Sequence, residues 1–180
     1  ACAGWVRALE VADGLMRSGR YRNALVLGVE AGMHEYLVAP DLLQNCEPEQ
    51  LAGFTIGEMA TATLLEPDPA GAFECRIRSL GEHFDLCMIP LPNAEAFLPD
   101  DGSDAPPFGR FLSRSDKLFA RVIAELVDMA RPRIAEIGLD NIDVFIPHGA
   151  STRAGHVVRR ALGIPAAKWL CGHEEFGNTV

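Results

Sequence analysis

The hydrophobic and polar positions at the start of the chain predict a helix followed by a strand. From Val6 to Met16, apolar residues recur at three- and four-residue steps with charged residues between them, which predicts an amphipathic helix that Gly19 ends. The continuous apolar run over 24–29 predicts a strand buried on both faces of a sheet. A helix that leads into such a strand is typical of an α/β layout.

The middle of the chain predicts further strands. The stretch from Gly53 to Glu66 is rich in threonine and small residues and favours β structure, and the Pro- and Gly-containing segment 67–71 breaks it. Apolar and charged residues then alternate from Phe73 to Leu80, which predicts a half-buried strand. The Pro-, Asp- and Gly-rich segment 90–109 predicts a long surface loop.

Beyond this loop the pattern changes to helical and back. Two helices and one strand are predicted, over Ser115–Ile137, Ala150–Leu162 and Ile142–Ile146. Ser113 or Ser115 is a candidate cap of the first helix, since a hydroxyl can accept hydrogen bonds from the first backbone N–H groups. Pro132 is expected to kink or split that helix, because proline removes a backbone donor.

Composition narrows the class of protein. A chain of 180 residues with 48% hydrophobic residues suits one domain or two small ones around a sizeable core. The formal net charge of -9 argues against a nucleic acid partner, because phosphate binding needs a basic surface. The longest apolar runs are too short to span a bilayer, so no membrane segment is predicted, and no signal peptide is visible.

The cysteines indicate the cellular compartment. The chain has 5 of them, an odd number, and none forms a Cys-x-x-Cys pair. A zinc site or a disulfide framework is therefore not expected, and a reducing cytoplasm is the predicted location. The chain begins at Ala1 without Met and ends abruptly at Val180, so we expect it to be a fragment of a longer protein.

Three residues are candidates for chemistry. Cys2 precedes small residues at the start of the first helix, where unpaired N–H groups and the helix dipole favour a thiolate, although buried structural cysteines are common. His148 directly follows a predicted strand, where binding crevices form, although a lone histidine in this position is more often a hydrogen-bonded surface or core residue. Asn178 lies in a Gly-Asn turn, and its amide could also donate to an oxyanion.

The flanks and the order of these residues are more specific than each residue alone. Cys2 lies in Ala-Cys-Ala-Gly-Trp, His148 in Pro-His-Gly-Ala-Ser and Asn178 in Phe-Gly-Asn-Thr. These segments resemble the nucleophile region, the Pro-His-Gln-Ala-Asn motif and the Tyr/His-Gly-Asn-Thr motif of the ketoacyl synthase III family. Further segments that resemble the family are Leu25–Glu30, Gly57–Leu65, Leu91–Ala94 and Leu112–Phe119, so the resemblance covers nearly the whole chain.

The resemblance implies the thiolase-like fold, an α/β fold in which two similar halves pack as α-β-α-β-α layers with mixed central sheets. Residues 1–69 would then be the remainder of the N-terminal half, and residues 70–180 most of the C-terminal half. The fold would be incomplete, because the early elements of the first half and the end of the second are not in this sequence. Such a fragment would expose sheet edges and apolar helix faces.

The resemblance also implies an activity. Cys2 would accept an acyl group from a thioester, and His148 and Asn178 would stabilise the enolate formed when a malonyl-type thioester loses carbon dioxide. Residues implied to bind substrate or carrier are Ser151, Arg153 and Phe119. No metal or redox cofactor is implied, only coenzyme A or phosphopantetheine thioesters as substrates. An acyl carrier protein as partner and a homodimer in the cytoplasm follow from the same resemblance, as does a role in fatty-acid or polyketide biosynthesis.

Departures from the family pattern keep alternatives open. Gly149 and Ser151 stand where the family has Gln and Asn, and Met59 replaces a glycine of the strand motif. One alternative is acyl transfer to an alcohol or amine without carbon–carbon bond formation. Others are a non-catalytic partner subunit and a Cys-His-Asn hydrolase, although nothing resembles the local motifs of cysteine proteases.

Overall fold

A computed structural model describes residues 2–31, 45–69, 71, 73–90, 93 and 110–179. The helices are α1 (Gly4–Arg17), α2 (Ser115–Ile137), α3 (Thr152–Ala161) and α4 (His173–Phe176), and the strands are β1 (Ala24–Glu30), β2 (Met59–Leu65), β3 (Cys87–Met88) and β4 (Leu112–Ser113). Within the described residues, no helix combines the length and the hydropathy that crossing a membrane requires. Apart from Pro90 and Asn93, the predicted loop over 90–109, with most of the Leu91–Ala94 segment, lies outside the described residues.

The first helix and strand confirm the prediction from the sequence. The α1 helix ends at Arg17, and Gly19 follows in the left-handed region with φ 73°, a conformation that glycine adopts without steric cost. Leu9 and Ala12 on the inner face of α1 are buried against Val26 of β1, and together they form a small hydrophobic core. Burial of this apolar stripe is what fixes α1 on the sheet.

The β1 strand pairs antiparallel with β2 from Ala24↔Leu65 to Glu30↔Met59. Only one face of this two-stranded sheet is covered, since Val26 is buried whereas Leu25 and Leu27 on the opposite face are 60% and 66% exposed. The prediction that β1 is buried on both faces is therefore wrong for the described structure. The physical reason is that α1 packs on one face and no described element packs on the other.

The predicted β stretch from Gly53 to Glu66 is half correct. Its second part is β2, but residues Pro48–Thr55 form a 3₁₀ helix. A capping box opens this helix. The backbone N–H of Glu47 donates to the Gln50 side chain, and the Glu47 side chain accepts from the backbone N–H of Gln50. Local capping and a proline in the first turn thus override the β preference of the sequence around Gly53.

The predicted strand from Phe73 to Leu80 is wrong, because this segment has no ladder partner among the described residues. It does keep the predicted alternation, with Cys75 and Ile77 half-buried between exposed neighbours. Ion pairs tie it to α2 instead: Arg78 pairs with Glu125, and Arg133 reaches Glu74 at 2.6 Å. Side-chain alternation alone does not make a strand when no second backbone is available for hydrogen bonding.

The α2 helix is continuous from Ser115 to Ile137, so the expected kink or split at Pro132 does not interrupt it. Proline has no N–H, so Pro132 cannot donate to the carbonyl of Asp128 four residues earlier. Both residues are exposed, and water can donate to that carbonyl instead. The prediction of a serine cap is also wrong. Arg114 is the N-cap residue, and the hydroxyls of Ser113 and Ser115 lie 3.0 Å from each other instead.

The last part of the chain positions the second half of the candidate site. The predicted strand over Ile142–Ile146 forms one parallel bridge, Phe145↔Trp169. The α3 helix confirms the prediction for Ala150–Leu162 to within two residues at its start, and Ser151 caps it by accepting a 3.3 Å hydrogen bond from the Ala154 N–H. The division of the chain into residues 1–69 and 70–180 stays a prediction.

Candidate active site

Cys2 lies just before α1 and is exposed, so the alternative of a buried structural cysteine does not hold here. The N-cap residue Ala3 has no side chain that could satisfy the first N–H groups of the helix. Trp5 in the first turn donates from its indole Nε1 to the Thr63 hydroxyl at 3.1 Å. This bond fixes the N-terminal end of α1 over β2.

A second thiol, that of Cys87, lies within electrostatic range of Cys2. Cys87 opens β3, where it is paired with Ser113 of β4. Cys87 keeps an exposed surface, but the protein atoms packed around its sulfur raise the pKa of the thiol, the negative charge of a Cys2 thiolate raises it further, and a hydrogen bond with Ser113 lowers it. Ser113 itself is buried. A charge on Cys2 is therefore felt by a thiol that is itself bonded to a buried hydroxyl.

His148 follows the extended segment that contains Phe145. The residue keeps an exposed surface, while the protein atoms packed around its imidazole lower its pKa. A positive charge on His173 lowers the pKa of His148 further. At neutral pH the ring is therefore uncharged, and a neutral imidazole carries one N–H donor and one acceptor nitrogen.

Asn178 is buried and is held through its backbone. Its N–H donates to the Thr55 carbonyl at 2.7 Å, and its own carbonyl accepts from the Gly57 N–H at 2.9 Å. Close packing continues next to it: Gly177 has φ 71°, and a Cβ placed there would stand 2.6 Å from the Thr55 carbonyl oxygen. The segment before β2 thus determines where the Asn178 amide lies.

A short helix joins the neighbourhood of His148 to that of Asn178. His173 opens α4, and its Nδ1 lies 2.5 Å from the carbonyl oxygen of Gly149. At the other end of α4, the Gly177 N–H donates to the His173 carbonyl at 3.0 Å. The residue after His148 and the residue before Asn178 are therefore both bonded to His173.

The three implied binding residues differ in their surroundings. The Ser151 hydroxyl is the cap of α3, Arg153 is exposed on the first turn of that helix, and Phe119 is half-buried on α2. Their role in binding substrate or carrier stays a prediction. Of the three, Ser151 has a described structural role, as the cap of α3.

The described contacts bring the site together in two parts. One part contains His148, His173 and Asn178, and the other contains Cys2 and Cys87. No hydrogen bond joins Cys2 to His148 within the part of the chain that the structure describes. Sequence reasoning missed His173 and Cys87, because each meets its partner only through folding and neither lies in a motif of its own.

A cavity of about 290 Å³ lies beside α3, and none of the predicted site residues lines it. Its walls include His156, Arg159 and Trp169. The guanidinium of Arg159 donates to the Ile164 carbonyl at 3.0 Å, so its position follows from the packing of α3 against the segment after it. Within the described residues, no group of three or more metal-binding side chains is present there or elsewhere.

Comparisons with known proteins agree with the motif resemblance. The family model described as 3-oxoacyl-[acyl-carrier-protein (ACP)] synthase III matches residues 1–81. The chain is 27% identical to the beta-ketoacyl-[acyl-carrier-protein] synthase III of Enterobacter sp. (strain 638), over 99% of this chain and 52% of that protein. It is also 27% identical to the 3-oxopimeloyl-[acyl-carrier-protein] synthase of Brucella abortus, again over 99% of this chain and 52% of the relative.

The solved structures show the fold. The beta-ketoacyl-[acyl-carrier-protein] synthase III of Thermus thermophilus superimposes with a TM-score of 0.75 at 20% identity, over 99% of this chain and 52% of that one. This likeness confirms the predicted thiolase-like α/β fold in incomplete form. The chain spans about half the length of the curated relatives that it matches.

Proposed function

We propose that this chain belongs to the ketoacyl synthase III-like family and carries the acyl-accepting nucleophile and the enolate-stabilising pair of a decarboxylative condensing enzyme. The observation that carries the proposal is the arrangement around α4, which links a neutral His148 to a buried, backbone-fixed Asn178. Two hydrogen-bond donors held by a rigid backbone are what a developing enolate requires.

The first step would take place at Cys2. Its thiolate attacks the carbonyl carbon of an acyl thioester, and the tetrahedral intermediate expels the thiolate of coenzyme A or of a phosphopantetheine carrier. The leaving thiolate takes up a proton, and the acyl group stays on Cys2 as a new thioester. The exposed position of Cys2 before α1 leaves the sulfur accessible to a thioester.

The second step would use His148 and Asn178. A malonyl-type thioester loses carbon dioxide, and the electrons of the broken carbon–carbon bond move onto its thioester carbonyl oxygen. The N–H of neutral His148 and the amide of Asn178 would donate to that oxygen. The enolate carbon then attacks the acyl-Cys2 carbonyl, and the backbone N–H of Cys2 would stabilise the oxyanion before the Cys2 thiolate leaves.

The experiment is intact-mass spectrometry of the full native protein after incubation with a panel of acyl-coenzyme A thioesters. We expect a mass gain of one acyl group that is absent in Cys2→Ala and unchanged in the control variant Cys46→Ala. A wild-type protein that is folded and gains no mass with any thioester would sink the acyl-enzyme mechanism.

A second candidate is acyl transfer from Cys2 to an alcohol or amine. It is favoured by the altered histidine motif, in which Gly149 and Ser151 replace Gln and Asn and the Ser151 hydroxyl serves as a helix cap. Release of labelled carbon dioxide from a malonyl thioester separates the two functions. Condensation requires this release, whereas transfer to oxygen or nitrogen proceeds without it.

The assembly and the pathway are part of the same proposal. We place the protein in the cytoplasm as a homodimer that takes acyl groups from coenzyme A or an acyl carrier protein, in fatty-acid or polyketide-type metabolism. The formal net charge of -9 disfavours broad attraction to an acidic carrier, so docking would depend on local basic residues such as the exposed Arg153. Light scattering and carrier-protein titrations of wild type and Arg153→Glu test both points.

A further inference from the structure

The backbone that carries His148 leaves the isolated bridge between Phe145 and Trp169 just before it. Phe145 is held on both sides, with its N–H donating to the Lys168 carbonyl at 2.7 Å and its carbonyl accepting from the Leu170 N–H at 2.9 Å. Pro147 has no N–H and cannot extend this pattern. These two hydrogen bonds therefore fix Phe145, and a different contact has to fix the segment from His148 to Ser151, the cap of α3.

The contact that fixes it comes from His173. Its Nδ1 lies 2.5 Å from the Gly149 carbonyl oxygen, and because a carbonyl only accepts, the ring must donate from Nδ1–H. The two residues also pack together, since a Cβ placed on Gly149 would lie 3.5 Å from the Cβ of His173. The hydrogen bond and the packing together hold the peptide that directly follows His148.

The same short helix is anchored at its other end. Gly57 packs directly against the carbonyl of Phe176, and Asn178 is bonded to Thr55 on one side and to Gly57 on the other. The spacing between His148 and Asn178 is consequently set through α4, with His173 as the contact on the His148 side. A helix of one turn with both ends fixed has little freedom to change that spacing.

We propose that His173 is a positioning residue of the site, which holds the Gly149 carbonyl and thereby keeps His148 at a working distance from Asn178. The inference rests on the proposed function and adds a residue that acts through the backbone of another, without touching the substrate. The electrostatic effect of His173 on His148 supports their proximity. Positioning groups of this kind matter because misplacing a reacting group by about 1 Å can cost roughly 100-fold in rate.

The test separates the two half-reactions in the full native protein. His173→Phe keeps a ring of similar shape and loses the donor, whereas His173→Asn places an amide N–H near the position of Nδ1–H. We expect His173→Phe to slow malonyl-thioester decarboxylation by about 10–100-fold, with acylation of Cys2 unchanged, and His173→Asn to restore most of the loss. Wild-type decarboxylation in His173→Phe would overturn the proposal. So would a parallel fall of both half-reactions that His173→Asn does not rescue.

A second readout does not depend on activity. Long-range ¹H–¹⁵N spectra report which ring nitrogen of a histidine carries the proton. We expect the Nδ1–H form for His173 and a shift of the Gly149 carbonyl resonance in His173→Phe. An Nε2–H form for His173 in the folded protein would overturn the inference. A wild type that shows the Nδ1–H form but neither acylation nor decarboxylation would instead sink the proposed function alone.

Discussion

The backbone N–H of Asn178 donates a 2.7 Å hydrogen bond to the carbonyl oxygen of Thr55. The bond joins positions that are far apart in the sequence, and it places the amide of the candidate site next to the start of β2. Such a bond requires the chain before Asn178 to approach Thr55 very closely. Gly177 allows this approach, because it has φ 71° and no side chain.

Replacing Gly177 tests this relationship. In Gly177→Ala the new Cβ would stand 2.6 Å from the Thr55 carbonyl oxygen, so the backbone has to move. The alanine would also be strained by the left-handed backbone conformation. Gly163 is the matched control, because its φ is 69° and open space surrounds it. We expect Gly163→Ala to lose about 1–2 kcal/mol of unfolding free energy with decarboxylation unchanged, and Gly177→Ala to lose more and to decarboxylate at least 10-fold more slowly.

Urea denaturation and release of labelled carbon dioxide measure the two effects. Equal stability and equal activity of the two variants would show that the packing of Gly177 on Thr55 does not position Asn178.

The charge state of His148 predicts a pH dependence of stability. Burial, and after it the charge of His173, lowers the pKa of His148 below its ordinary value near 6.5. The folded state therefore binds fewer protons at this site than the unfolded state as the solution is acidified. The contribution of His148 to the unfolding free energy is fully present above the pKa of this residue in the unfolded state. It is lost as the pH falls through its pKa in the folded state.

The measurement is the unfolding free energy of wild type and His148→Gln from pH 8 down to pH 5. We expect the wild type to lose more stability than the variant over the acidic part of this range, since glutamine does not titrate. Superimposable pH profiles would contradict a lowered pKa at His148.

The pair Cys2 and Cys87 predicts a difference in thiol reactivity. Although Cys87 keeps an exposed surface, the protein atoms packed around its sulfur, and after them the charge of Cys2, raise its pKa, so less of it is thiolate at any given pH. We expect iodoacetamide to alkylate Cys87 more slowly than an ordinary thiol, and Cys2→Ser to speed this reaction by removing the neighbouring charge. Peptide mass spectrometry over a pH series gives both rates, and an unchanged Cys87 rate in Cys2→Ser would contradict the proximity of the two sulfurs.

The sequence predicts a helix or strand correctly where its local periodicity agrees with the burial of its residues in the structure. The stripe that contains Leu9 and Ala12 predicted α1, and the run around Val26 predicted β1, because both sets of residues form the core. Phe73–Leu80 shows the limit of that approach. Its alternation predicted a strand and its half-buried positions follow the pattern, but pairing depends on a second backbone that periodicity does not contain.

For the candidate site, the motif resemblance identified residues that local pattern alone left open. Cys2, His148 and Asn178 were each weak signals and became specific through their flanking residues. His173 could not be found in this way. Its relation to Gly149 is a contact between residues 24 positions apart, formed only after α4 docks. The serine cap failed for a similar reason, since Ser113 is in β4 and faces Ser115.

Lys168 provides the last prediction, which concerns the support of the His148 segment. Its ammonium donates to the carbonyls of Leu139, Asp140 and Ile142 at 3.0, 3.2 and 2.8 Å, so one charge holds the turn that leads from α2 into the extended segment. The next residue, Trp169, forms the bridge to Phe145. We expect Lys168→Met to lose about 1.5–3 kcal/mol of unfolding free energy, as is typical of hydrogen bonds to a charged group.

Lys117→Met is the matched control, because Lys117 is exposed near the start of α2 and is the other lysine of the chain. It should change the unfolding free energy by less than about 0.5 kcal/mol, as substitutions on an exposed surface usually do. Hydrogen exchange should locate the loss, since opening of the turn in Lys168→Met would speed exchange of the Phe145 and Leu170 amides before that of α1. Equal destabilisation by the two substitutions would mean that the hydrogen bonds from Lys168 to the three carbonyls do not stabilise the turn. The bridge at Phe145 would then support the His148 segment without Lys168.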